Sequence, residues 1–176
     1  METGRATGSN RLLSCVLFTF LLCALVFGEG TSPGSLDPNY ASAVSAKITF
    51  SDYSVGTHIA TQYAGLGIVF GGDDPFITAD PDNPTSPVLS GTPQFTGAIE
   101  GRFIVPQDPN TCDPNQIGVV SWFSLDAGVF DATATTCLEW FDHHGVKLGE
   151  VYNTLTGIQT FRVEGLNIAR WRIRMP

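Results

Sequence analysis

ITFSDYSVGTHIATQYAGLGIVF, residues 48–70, decides how this chain reads. Two apolar, β-rich segments flank a turn marked by Gly56 and a linker of the form Gln62-Tyr63-x-Gly65-x-Gly67, a pattern that starts a sandwich of strands rather than a helix. The same texture continues outward from this stretch. β-Branched and aromatic runs recur between Gly, Pro and Asp punctuation at 47–50, 58–63, 67–70, 76–79, 87–89, 98–105, 118–127, 136–141, 146–152, 159–163 and 169–175. No run of helical period interrupts them, so the chain is expected to be all-β and antiparallel.

A second block strengthens this reading: SLDAGVFD at 124–131, the hairpin CLEWFDHHGVKLG at 137–149, NTLTGIQTF at 153–161 and the closing NIARWRI at 167–173. In the hairpin, Asp142, His143, His144 and Gly145 form the turn, with Gly145 supplying positive φ and the two histidines projecting into solvent. Together the two blocks resemble secreted bacterial jelly-roll modules of the galactose-binding-like, carbohydrate-binding type, as found in PEP-CTERM-type exported proteins. The resemblance implies a jelly-roll β-sandwich, and it bears on architecture without naming a ligand. Modules of this kind usually continue past a strand like 169–175 into an acidic loop and a closing strand. Here the expectation is a truncated product, a variant lacking its last strand, or an exposed edge protected by arginines.

The N-terminal residues divide into an expected signal peptide at 1–30, a flexible leader at 31–46 and the β-sandwich domain at 47–176. Arg5 and Arg11 precede an uncharged run over 12–28, the pattern of a secretory n-region and h-region; an uncleaved membrane anchor is the rival reading. Ser, Pro, Gly and Ala dominate 31–46 without apolar period. Removal of the first thirty residues leaves about 145, enough for one domain with a real core. Glu2, Arg5, Arg11 and Glu29 cancel, so the exported chain keeps the net charge of −8, which disfavours nucleic acids and anionic lipid surfaces as partners. Of the four cysteines, Cys15 and Cys23 lie in the expected signal peptide. Cys112 and Cys137 are then expected to form a disulfide in an oxidising compartment, since neither thiol has a ligand-spaced Cys or His for a metal site.

Candidate site residues are few. Clustered acids at Asp73, Asp74, Asp80 and Asp82 suit calcium, although their spacing fits no EF-hand, and solvated turns are the alternative. The resemblance adds Asp52 as the early ligand of a structural calcium whose late acidic partner is missing here. Sugar binding needs an aromatic platform with polar flanks, and Trp122, Trp140, Trp171, Tyr53 and Tyr63 are the candidates; each Trp also suits a core position. In the last strand Trp171 and Ile173 alternate with Arg170, Arg172 and Arg174, placing one set in the core and the other outside. That arginine stripe either protects an edge or holds an acidic glycan or phosphate. No nucleophile elbow, zinc-protease helix motif or phosphate loop is present in the sequence. The expected function is therefore a non-catalytic carbohydrate- or matrix-binding module at the cell surface, in the periplasm or outside the cell. A structural or adhesive protein using its unpaired last strand to bind a protein partner is the alternative, and a glycan hydrolase or lyase comes third.

Overall fold

The computed structural model describes residues 20–25, 46–79, 87–94, 96–106, 108, 110, 113 and 115–174. Its strands are β1 (Phe20–Leu25), β2 (Ala46–Ile48), β3 (Ile68–Gly72), β4 (Phe76–Thr78), β5 (Val88–Ser90) and β6 (Ile99–Phe103), followed by β7 (Val120–Phe130), β8 (Cys137–Phe141), β9 (Lys147–Tyr152), β10 (Gly157–Ile168) and β11 (Arg170–Arg174). They form a four-stranded sheet in the order β10-β7-β1-β2, a five-stranded sheet in the order β3-β6-β11-β8-β9, and the small pair β4-β5. All pairings are antiparallel. The expected all-β sandwich is what the chain forms.

Period-two alternation builds the core. On β7 the side chains of Phe123, Leu125 and Ala127 are buried while Trp122, Ser124 and Asp126 between them stay partly exposed. On β6 and β11 the buried set is Ile99, Gly101, Phe103, Trp171 and Ile173. The two sheets meet through rings: Phe123 of one stacks on Trp171 of the other at 6.2 Å and lies 5.7 Å from Phe103.

Across the inner face of the five-stranded sheet runs a single register row, Phe70–Gly101–Trp171–Trp140–Gly149, one residue from each strand. Each indole lies over a cross-strand glycine. A Cβ on Gly101 would fall 2.2 Å from the Trp171 ring, and one on Gly149 would fall 2.2 Å from the Trp140 ring. The glycines thus leave room that the indoles fill, which satisfies the close packing a core requires.

Two expectations change. Residues 58–63 do not form a strand: Gln62 accepts the Ala60 N–H at 2.6 Å and donates to the His58 carbonyl at 2.7 Å, capturing backbone groups that a sheet neighbour would need. The segment instead turns, makes one isolated bridge from His58 to Phe76, and enters a one-turn 3-10 helix at Ala64–Leu66 that Gly67 ends at φ 84°. The second correction concerns β11, which is the central strand of its sheet, bonded to β6 on one side and β8 on the other. It is not an unpaired edge, so its arginines do not protect one and it offers no free backbone to a partner's sheet.

Within the expected signal peptide, Phe20–Leu25 lies as β1 between β2 and β7 and pairs with both. Among the described residues no helix is long and apolar enough to cross a membrane.

Candidate binding faces

The outer faces of the two sheets carry the chain's chemistry. On the four-stranded sheet, the outward parity of β7 and β10 brings together Trp122, Ser124, Asp126, Thr160, Arg162 and Glu164, with Glu164 opposite Trp122 and Arg162 opposite Ser124. Arg162 lies over the Trp122 ring, its guanidinium carbon 4.9 Å from the centroid, and is held there by Glu164 at 2.8 Å. Thr160 donates to Asp126. The result is a partly exposed indole flanked by donors and acceptors, which is what a sugar's C–H face and hydroxyls require together.

The other aromatic candidates separate from it. Trp171 is fully buried in the core, and Trp140 is partly buried and packs against that core from the inner face. Tyr63 is 4% exposed, wedged edge-on against Phe50 and Phe70, and burial together with the nearby Asp52 charge pushes its phenol well above the usual range. Tyr53 is exposed at the loop surface and donates to the Gln62 carbonyl at 3.3 Å.

The acidic candidates do not converge. Asp52 accepts from the Tyr63 hydroxyl at 3.4 Å, Asp73 accepts the Ala98 N–H at 2.7 Å, and Asp74 pairs with His58 at 3.0 Å, each in a separate local contact. Asp80 and Asp82 lie outside the described residues, as does Cys112. Cys137 is a buried free thiol in the structure, and burial pushes its pKa up.

On the five-stranded sheet, outward parity gathers Glu100 and Arg102 of β6, Arg170, Arg172 and Arg174 of β11, Cys137, Glu139 and Phe141 of β8, and Lys147, Glu150 and Tyr152 of β9. Glu139, nearly buried, receives Arg172 at 2.8 Å, Arg174 at 3.2 Å and Lys147 at 3.7 Å. Burial raises its pKa, yet the hydrogen bonds and charges of Arg172 and Arg174 outweigh that and hold the carboxyl below the usual range. Cys137, Glu139 and Glu150 bring their ligand atoms within 4.8 Å of one another. A metal ion there would have to displace the cations already bound to both carboxylates, so the cluster works as an ion-pair network.

At the tip of the β8–β9 hairpin, Asp142 Oδ1 accepts the N–H groups of His144 and Val146, and Gly145 turns the chain at φ 81°, leaving His143 and His144 exposed as expected. Asn153 is a structural residue that the sequence pattern does not mark. This buried side chain accepts the N–H groups of Thr135 and Thr136 and donates to the carbonyls of Ala132 and Leu155, tying two loops together. A lone Asn between the Tyr152 and Leu155 runs carries no periodic signal that marks it as buried. Comparison with protein-family models, with curated proteins and with solved structures finds no match for this chain.

Proposed function

We propose that this protein is an exported, non-catalytic carbohydrate- or matrix-binding module, of the galactose-binding-like jelly-roll type, whose ligand lies on the outer face of the four-stranded sheet around Trp122. The observation that carries the reading is the placement of this one tryptophan: Trp171 and Trp140 belong to the core side of their sheet, whereas Trp122 faces outward among Ser124, Asp126, Thr160, Arg162 and Glu164. A sugar ring would stack on the indole in place of the Arg162 guanidinium now over it, with Arg162, the carboxylates and the hydroxyls fixing its orientation. Sheet faces built this way bind with rigid backbone and little ordering cost. Export is read from the charged and apolar pattern of the first thirty residues; because Phe20–Leu25 forms β1 between β2 and β7, the exported chain keeps that strand only if cleavage falls before it or does not occur, and N-terminal sequencing of protein recovered outside the cytoplasm checks both.

A glycan array probed with the full chain and with Trp122→Ala tests the binding claim. Specific hits on the native protein, lost in the variant without a fall in melting temperature, are expected. An array with no hits, or hits that Trp122→Ala retains, refutes the reading.

A further inference from the structure

Five of the nine basic residues of this acidic chain, Arg102, Lys147, Arg170, Arg172 and Arg174, stand on the outer face of the five-stranded sheet. The carboxylates of that face are already engaged at one end of it. Glu139 binds Arg172, Arg174 and Lys147, Glu150 binds Lys147, and Glu100 lies 3.9 Å from Arg172. At the other end Arg102 and Arg170 are direct cross-strand partners on β6 and β11, and among the described residues no carboxylate pairs with either. Like charges placed opposite each other on adjacent strands repel. Arg170 is also held in place: its guanidinium lies 4.6 Å over the Phe141 ring, and its Nε–H is buried without a hydrogen-bond partner. Stacking fixes the plane of the fork, so less freedom is lost when it takes a ligand.

We propose that this pair is a binding site for an anionic group, the carboxylate or sulfate of an acidic polysaccharide, received between Arg102 and Arg170. Arg102 and Arg170 project outward from one cross-strand register position, so both side chains can reach a group with two or more anionic oxygens, and an anion held by both converts their repulsion into two charge-assisted contacts. The site lies on the opposite outer face of the sandwich from Trp122 and does not depend on sugar binding there. The chain's net charge of −8 restricts the site to a local contact with one or a few anionic groups of a short or sparsely charged acidic glycan, because a long, densely charged polyanion is repelled by the rest of the surface.

The full chain is titrated calorimetrically at low salt with polyuronate oligosaccharides, with sulfated dextran oligosaccharides and with unmodified dextran; the first two arms distinguish a carboxylate from a sulfate source. Saturable binding of at least one anionic probe is expected, weakening as salt is added. Arg102→Gln and Arg170→Gln together should reduce affinity about tenfold or more, whereas Lys47→Gln, which removes an equal charge from an exposed position on β2, should change it less than about twofold. Arg102→Gln alone leaves Arg170 stacked on Phe141, so it gives a folded variant should loss of Arg170 disturb the sheet. The proposal fails if neither anionic probe binds the native chain, if unmodified dextran binds equally well, or if Arg102→Gln and Lys47→Gln weaken binding to the same extent.

Discussion

Replacing Gly101 by alanine puts a methyl group where the structure has an indole. The added Cβ would lie 2.2, 2.3 and 2.4 Å from three ring atoms of Trp171, far inside any real contact distance. Trp171 has nowhere to retreat, being 0% exposed, stacked on Phe123 at 6.2 Å and edge-on to Phe70 at 6.3 Å. Overpacking of this kind costs about 1–3 kcal/mol, and the crowding on all sides of the ring argues for the upper half of that range. Reduced freedom of the unfolded chain returns about 0.4–1 kcal/mol, leaving a net loss of about 2 kcal/mol. Trp171→Ala alone should cost about 3–5 kcal/mol. With the indole gone the methyl added by Gly101→Ala has room, so the double variant should be no less stable than Trp171→Ala, a coupling of about 2 kcal/mol in favour of the pair. Gly71, on the outer face of β3 with nothing within 4 Å of its added Cβ, is the control, and Gly71→Ala should shift stability by less than about 0.5 kcal/mol. Urea unfolding of the native protein and the four variants supplies the cycle. Additive costs, or a Gly101→Ala protein as stable as Gly71→Ala, would show that the row of rings and glycines is not packed as described.

Asn153→Ala should cost about 2–4 kcal/mol, because it strands the buried Thr136 N–H along with three further groups; a denaturant midpoint within error of wild type would contradict this. Glu139 carries a pKa lowered in the folded state, so its contribution is fully present above the ordinary glutamate value near 4.5 and is lost as pH falls through the lower folded value. Glu139→Gln should therefore be less stable than wild type at neutral pH and lose less on acidification through that window, and parallel acid-denaturation curves would remove the argument. Non-reducing peptide mapping of exported protein should find the Cys112 and Cys137 peptides joined, a closure worth about 3–4 kcal/mol; full alkylation of both thiols without reductant would exclude the bridge.

Much of the fold is legible in the sequence because strand periodicity is local. In RWRIR the alternation that sends Trp171 and Ile173 inward and the arginines outward is written in five consecutive residues, and the structure follows it. The turn at Asp142 to Gly145 was equally local, since its carboxylate and its positive-φ glycine act within one hairpin. The same parity also separates the tryptophans: Trp122 alternates with Phe123 and Leu125 and so belongs with Ser124 and Asp126, whereas Trp140 shares a side with Leu138 and Trp171 with Ile173. Strand order, by contrast, is not local. That β11 lies between β6 and β8 sets Gly101 under Trp171 and Arg102 against Arg170, pairs far apart along the chain. Composition and period cannot distinguish a central strand from an edge when its outward residues are charged, and a charged outer face is expected of both. The features that bear most on binding are therefore divided between two sources. Which side chains face outward follows from period two, and which outward side chains stand next to each other follows from a topology that only long-range packing decides.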